Sequence, residues 1–273
     1  MHNIIYQVDA FTEIPFKGNP AGVYISPKPR AEEWMRNMAR EMNLSETAFL
    51  SPREVEEEGY SLRWFTPAVE VNLCGHATLA SAHILWEQGF LRSDEEARFY
   101  TRSGLLTARL LNDDWIALDF PAKQVEPAEI PAGLLEGLHV TNPLFVGSNK
   151  MDYLVELDSE EKVRELKPDH SQLKRVNIRG VIVTARSSSS NYDFVSRFFA
   201  PGAGVDEDPV TGSAHTALTP YWSRKLGKKE MSAFQASTRG GHLMVMDRGS
   251  RVEIRGKAVT VFTTEMDSSL IQD

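Results

Sequence analysis

The chain has 273 residues, 41% hydrophobic and 25% charged, with a formal net charge of −8. That is a globular composition, sufficient for one large or two medium domains that need no disulfide or structural metal. The acidic balance argues against nucleic acid or an anionic membrane as partner, and no apolar run is long enough to span a bilayer.

A single cysteine, Cys74, rules out an intrachain disulfide and fits a reducing cytoplasm. No signal-peptide pattern precedes Tyr6. In chain order, "NIIYQVDAF" and "AGVYI" read as strands, with Gly18-Asn19-Pro20 as a turn between them. "AEEWMRNMAREM" places Ala31, Trp34, Met35, Met38, Ala39 and Met42 on one helical face, and Asn43 is positioned to end the helix. "LSETAFLS" and "YSLRWFT" are strands, separated by "REVEEEG", a charged, solvated turn. "GHATLASAHILWEQG" predicts a helix from His76 to Gln88, stopped by Gly89. It is apolar or small on nearly all sides and therefore buried. Strands follow at "RFYTR", "LLTARLL" and "WIALDF".

"PAKQVEPAEIP" carries three prolines and little apolar periodicity, which marks a linker. Beyond it, "YLVEL", "GVIVTA" and "NYDFVSRFF" read as strands, and the serine run from Ser187 as a polar hairpin loop. A second Ala-rich helix runs from Ser213 to Leu226, stopped by Gly227, with Pro220 expected to kink or break it. "HLMVMDRGSRVEIRG" is a hairpin turning at Asp247-Arg248-Gly249, and "AVTVFTTEM" is a last strand.

Two segments resemble each other: "RWFTPAVEVNLCGHATLAS" and "RFFAPGAGVDEDPVTGSAHTAL". Each opens with Arg, an aromatic, Phe, one residue and Pro, then has a loop, a Gly-polar pair and a small-residue helix. A duplicated strand-loop-helix unit follows. The paired Gly-led helix starts, Gly75-His76 and Gly212-Ser213, offer backbone N–H groups and a positive dipole end to an anion. A small carboxylate is the expected ligand. "VDEDPVTGS" carries Asp206, Glu207 and Asp208 ahead of the second helix, where capping alone needs one carboxylate. Asp206 and Glu207 read as local loop structure.

With "GNPAGV", "NLSETAFL", "FTPAVEVNLCGHATLA" and "RFFAPGAGVDEDPVTGSAHTAL" in that order, the sequence resembles the PhzF-like phenazine-biosynthesis family, which shares its fold with diaminopimelate epimerase. The resemblance implies an α+β fold of two similar domains, each a β-barrel around a central α-helix, related by a pseudo-twofold axis. Residues 1–120 would form the first domain, joined by a C-terminal strand at about 263–273, and residues 121–262 the second. It further implies cofactor-independent isomerase chemistry in an interdomain cleft, no metal, and a homodimer. By motif, Glu46 matches the family's general acid/base, and Asp208 and His76 its other polar active-site groups. Ser45, Gly75, Gly212 and Ser213 match positions that hold the substrate. The family's namesake ligand is a hydroxylated cyclohexadiene amino acid.

Glu46 lies at the head of an otherwise apolar run, Thr47 to Leu50, where partial burial would suit it to move a proton both ways. Asp208 would hydrogen-bond the substrate or His76. Cys74 falls near the first of the two thiols used by diaminopimelate epimerase. With no second cysteine, a two-thiol racemase is excluded, and Cys74 reads as a packed side chain. Gly202-x-Gly204 lacks a third glycine and a βαβ context, and Asp206, Glu207, Asp208 and His215 lack a known metal-ligand spacing. The alternative to an enzyme is a small-molecule-binding or regulatory protein that keeps the cleft without turnover.

Overall fold

The computed structural model describes residues 3–53 and 58–271, so most of the charged turn expected over Arg53–Gly59 lies outside the described residues. The chain divides into two compact units, residues 1–119 with 255–273, and residues 120–254. Residues 255–262, expected with the second domain, lie with the first, because the last strand pairs along the first one from Ala258 to Glu265.

The first unit contains β1 (Ile4–Ala10), β2 (Asn19–Ile25), α1 (Glu32–Met42), β3 (Glu46–Pro52), β4 (Tyr60–Phe65), β5 (Glu70–Val71), α2 (Gly75–Glu87), β6 (Ala97–Thr101) and β7 (Gly104–Leu110). Strand β8 (Ile116–Pro121) leads out of it. The second unit contains β9 (Glu126–Pro127), α3 (Leu134–Leu138), β10 (Phe145–Ser148), β11 (Asp152–Glu156), α4 (Glu160–Glu165), α5 (His170–Leu173), β12 (Gly180–Arg186), β13 (Phe194–Ala200), β14 (Val205–Asp208), α6 (Gly212–Leu226), β15 (Glu230–Gln235) and β16 (Gly241–Asp247). Strand β17 (Arg251–Gly256) leads back to β18 (Ala258–Glu265). The result is the expected α+β fold, a barrel-type mixed sheet around one buried helix in each unit.

The two units share one strand plan. In the first, β1 runs antiparallel to β18 and β2, β2 parallel to β3, β3 antiparallel to β4, and β4 antiparallel to β5 and parallel to β6. In the second, β10 runs antiparallel to β9 and β11, β11 parallel to β12, β12 antiparallel to β13, and β13 antiparallel to β14 and parallel to β15. The registers correspond residue by residue. Phe49 faces Arg63 as Val183 faces Arg197, so Glu46 has Gly180 as its counterpart. Ala21 faces Glu46 as Asp152 faces Gly180.

Side chains repeat the plan. Arg63 donates from Nε and Nη2 to Glu70 at 2.7 and 2.6 Å, and its guanidinium lies 5.1 Å from the Phe65 ring centroid. Arg197 donates from Nε and Nη2 to Glu207 at 2.7 and 2.8 Å, and lies 4.9 Å from the Phe199 centroid. Glu207 is therefore a strand residue with a structural partner, not loose loop structure; a bidentate fork ties β13 to the strand that leads into α6.

Helix α1 packs its Met35–Ala39 face on one side of the first sheet, against Tyr24, Phe49 and Phe65, and ends where Asn43 takes a left-handed φ of 50°. Helix α2 is buried from Gly75 to Ala82 and again at Ile84 and Leu85, as its lack of a polar face requires. Helix α6 is equally buried, and Pro220 does not break it. Proline has no N–H to return to the Thr216 carbonyl. The N–H of Lys123 satisfies that carbonyl instead, at 3.0 Å, so the proline-bearing segment after β8 serves as a backbone cap on α6 rather than as a free linker. The expected turn at Gly18-Asn19-Pro20 is also corrected. Only Gly18 has turn geometry, at φ 62°, and a Cβ there would sit 2.2 Å from the Ala10 carbonyl oxygen; Asn19 and Pro20 already belong to β2.

The two arginine forks differ in burial: the side chains of Arg197 and Arg63 are 11% and 30% exposed. Arg197 also donates to the carbonyls of Val163, Arg164 and Leu166. Arg197→Met is expected to destabilise the chain by about 3 kcal/mol, since it leaves the Glu207 carboxylate and three carbonyls without their donor, and Arg63→Met by only about 1 kcal/mol, since Arg102 stays 2.7 Å from the Glu70 carboxylate. Urea midpoints give the order; equal costs would contradict it.

Candidate active site

The first unit gathers Glu46, Cys74, His76 and Asn19. Glu46 opens β3, Cys74 is the extended N-cap residue of α2, and His76 sits in the first turn of that helix. His76 Nε2 lies 3.3 Å from Glu46 Oε2, and His76 Nδ1 lies 3.1 Å from Asn19 Nδ2 and 3.5 Å from Cys74 Sγ. Asn19 is fully buried, and the His76 side chain is 5% exposed. The Glu46 carboxylate, at 17%, is the member that reaches solvent.

Burial, with no cation-stabilising partner that outweighs it, lowers the His76 pKa to about 3. The ring is therefore neutral. An amide nitrogen can only donate, so Asn19 Nδ2–H fixes Nδ1 as the acceptor and places the ring proton on Nε2. The nitrogen that carries it lies 3.3 Å from Glu46 Oε2. A neutral imidazole thus stands beside one carboxylate oxygen.

The second unit gathers Asp208, Thr211, Gly212, Ser213 and Gln235. Asp208 is not the N-cap of α6; Thr211 is, and its side chain makes no capping bond. The Thr211 hydroxyl instead donates to Asp208 Oδ2 at 2.5 Å. The buried Gln235 amide locks this corner. Its Oε1 accepts the Thr211 N–H at 2.8 Å, and its Nε2 donates to the Asp208 carbonyl at 2.7 Å. Ser213 Oγ accepts from Arg179 Nη2 at 3.3 Å. Gly75 and Gly212 are the first residues of their helices and are buried, while Ser45 and Ser213 are half-buried.

Helices α2 and α6 share an unusual start. Neither N-cap side chain makes a capping hydrogen bond to the N–H groups of its own helix, and neither helix has an acidic residue in its first turn. By contrast, α4 is capped by Ser159 and α1 carries Glu32 and Glu33. The two buried helices therefore keep the positive ends of their dipoles unneutralised by their own sequence, which favours an anion there.

The structure thus brings Glu46 and His76 together in one unit, and Asp208 beside Gly212 and Ser213 in the other. Sequence reasoning missed Asn19, Gln235 and Arg179; for Asn19 the available signal was "GNPAGV". Among the described residues, Glu46, Cys74 and His76 form a group of metal-ligand atoms within 4.8 Å of one another. The other acidic set does not gather on one point. Glu207 turns to Arg197, Asp208 accepts from Thr211, and His215 Nδ1 lies 2.9 Å from the Thr211 carbonyl.

The family model for phenazine biosynthesis-like proteins matches residues 8–264. The chain belongs to the PhzF family. A protein of Halalkalibacterium halodurans named an uncharacterized isomerase is 54% identical over 96% of this chain and 97% of its own length. A human phenazine biosynthesis-like domain-containing protein is 41% identical, with 94% and 96% covered. A solved PhzF-family structure from Enterococcus faecalis aligns with a TM-score of 0.90 at 41% identity, covering 98% of this chain and all of that one. A probable proline racemase from Agrobacterium radiobacter, at 11% identity and a TM-score of 0.65, shares the fold. The PhzF chain described here is an enzyme of the isomerase type, and no helix among its described residues is long and apolar enough to cross a membrane.

Two buried imidazoles tie this architecture to pH. His76 is lowered to about 3 and His215 to about 4, both first by desolvation, from an ordinary 6.5. Below pH 6.5 the unfolded chain takes up protons that the folded chain refuses, so their contribution to stability is whole above 6.5 and lost as pH falls toward 3–4. Ring ¹⁵N shifts are expected to hold His76 as the neutral Nε2–H tautomer from pH 5 to 8; an imidazolium signal in that range would contradict the assignment.

Proposed function

We propose that the protein is a cofactor-independent isomerase that moves a proton at carbon of a small carboxylate substrate, with Glu46 as the acid/base. The observation that carries this reading is the Asn19–His76–Glu46 chain. It sets a part-exposed carboxylate 3.3 Å from a neutral imidazole, beside a helix start whose N–H groups are not capped by its own side chains.

A proton shift at carbon requires a base, an acid, and stabilisation of the charge left on the substrate. Glu46, ionised, takes the proton through one oxygen while His76 Nε2–H holds the other. The negative charge spreads into the substrate's carboxylate. The backbone N–H groups at Gly75-His76 are suited to receive it. Glu46, now protonated, returns the proton to a different face or position. Asp208, held by Thr211, orients the substrate, with Ser45 and Ser213 as further polar contacts. Cys74 is a packing residue and no thiol step is needed. The isomerase names of the relatives support the reaction type; the small carboxylate rests on the two uncapped helix starts.

The rival reading, a binding protein without turnover, predicts no change when Glu46 loses its proton-transfer capacity. Glu46→Gln keeps shape and hydrogen bonding but cannot carry a proton. It is expected to fold normally and to lower turnover by about 10²–10⁴-fold, whereas Cys74→Ala retains most activity. A panel of small amino and hydroxy acids, followed by NMR for isomerisation, supplies the assay. A Glu46→Gln enzyme at the wild-type rate with Cys74→Ala inactive would transfer the chemistry to the thiol.

A further inference from the structure

The duplicated strand plan locates, in the second unit, the counterpart of every residue that builds the first half-site. Register carries Ala21 onto Asp152 and Glu46 onto Gly180. One step before Glu46, Ser45 has Arg179 as counterpart; two steps before Ala21, Asn19 has Lys150. The helix starts align Gly75 with Gly212 and therefore His76 with Ser213. Among these counterparts, Arg179 is the residue that joins the others. Arg179 Nη2 is 3.3 Å from Ser213 Oγ, and Arg179 forks onto the buried Asp152 carboxylate, with Nε 2.8 Å from Oδ1 and Nη2 2.5 Å from Oδ2.

The chemistry, however, has changed sign. The first half-site offers a carboxylate; the second has none at that point and cannot acquire one. A Cβ on Gly180 would lie 2.3 Å from the Phe198 ring. What stands there instead is cationic. A cavity of about 470 Å³ is lined by Lys150, Lys174, Arg175, Arg179, Met151 and Gly202, with no acidic residue on its wall. Lys150, Lys174 and Arg175 make no ion pair among the described residues, although the chain carries a net charge of −8. Lys123 lies against Met151, its Nζ 2.7 Å from Sδ, and its pKa is held down by burial and then by the neighbouring Arg179 cation. Lys150, Lys174 and Arg175 are exposed, so their unpaired positive charge stands ready to attract an anion.

We propose that this cavity, with Arg179 at its head, is an oxyanion-binding site that takes a carboxylate or phosphate group carried by the substrate. It rests on the isomerase reading only in assigning the anion to the substrate. Arg179 is the recognition residue. Asp152 holds its planar fork in place, so that Nη1 and the Lys150 ammonium remain to grip the ligand. A substrate with a second anionic group then fits better than a monocarboxylate.

Binding can be measured without turnover. Isothermal titration would use succinate, inorganic phosphate and neutral succinamide as probes. The wild-type protein is expected to bind succinate or phosphate, whichever matches the substrate's group, and to ignore succinamide. Lys150→Gln, an exposed change, should weaken that binding by 3–10-fold. Arg179→Gln alone would strand the buried Asp152, so the folded comparison is the Asp152→Asn/Arg179→Gln pair, expected to lose binding at least 10-fold. Glu46→Gln should bind both anions as wild type does, which separates this site from the acid/base. Preference for succinate over phosphate assigns a dicarboxylate, and the reverse a phosphorylated substrate. Failure of both anions to bind, or undiminished binding in Lys150→Gln and the double variant, would overturn the proposal and leave the Glu46 chemistry standing.

Discussion

A helix driven into the middle of a curled sheet must leave its first N–H groups somewhere. In this protein that constraint occurs twice, at α2 and α6, and neither sequence supplies an N-cap bond or a first-turn acid. The apolar character that buries these helices forbids a polar flank, so their starts are left with N–H groups that their own side chains do not satisfy. Polar side chains gather at those starts: Glu46, Cys74 and Asn19 around His76, and Thr211 with Asp208 and Arg179 with Ser213 at the other.

Duplication explains how one plan supports two jobs. The forks Arg63–Glu70 and Arg197–Glu207 hold the strand before each helix in the same manner, each beneath a phenylalanine ring. The arginine forks are kept in both copies, and the polar residues near the helix starts differ. Glu46 faces a glycine counterpart, His76 a serine, Ser45 an arginine and Asn19 a lysine. On the proposed reading, one copy moves a proton and the other holds negative charge. That division is chemically sensible, because a fixed cation beside the general base would weaken its basicity.

Much of this was legible in the sequence. The strands of the first unit, both buried helices and the repeat follow from period, small-residue content and the shared five-residue openings. Glycine and asparagine punctuation predicted the ends at Asn43 and Gly227, where left-handed φ values of 50° and 67° are found. Short elements escaped: β5, β9 and β14 are two to four residues long, below the reach of any periodicity. Glu207 was unreadable as an ion-pair partner because its arginine lies 10 residues away across a strand reversal. Asn19 looked like a turn residue since it sits between glycine and proline; its burial comes from the strand pairing of β1 and β2, a tertiary fact. Arg179 carries no local signal at all. It emerges only when the register of one unit is laid on the other.

The central claim is that a carboxylate, oriented by a neutral histidine, exchanges a proton at carbon. Solvent-hydrogen wash-in measures that directly: wild-type protein in heavy water, with small anionic amino and hydroxy acids, followed by ¹H NMR loss at the reacting carbon. The account predicts incorporation of deuterium at one carbon, catalysed by wild type and abolished in Glu46→Gln. Isomerisation of a substrate with no solvent deuterium entering, at a rate unaffected by Glu46→Gln, would contradict it.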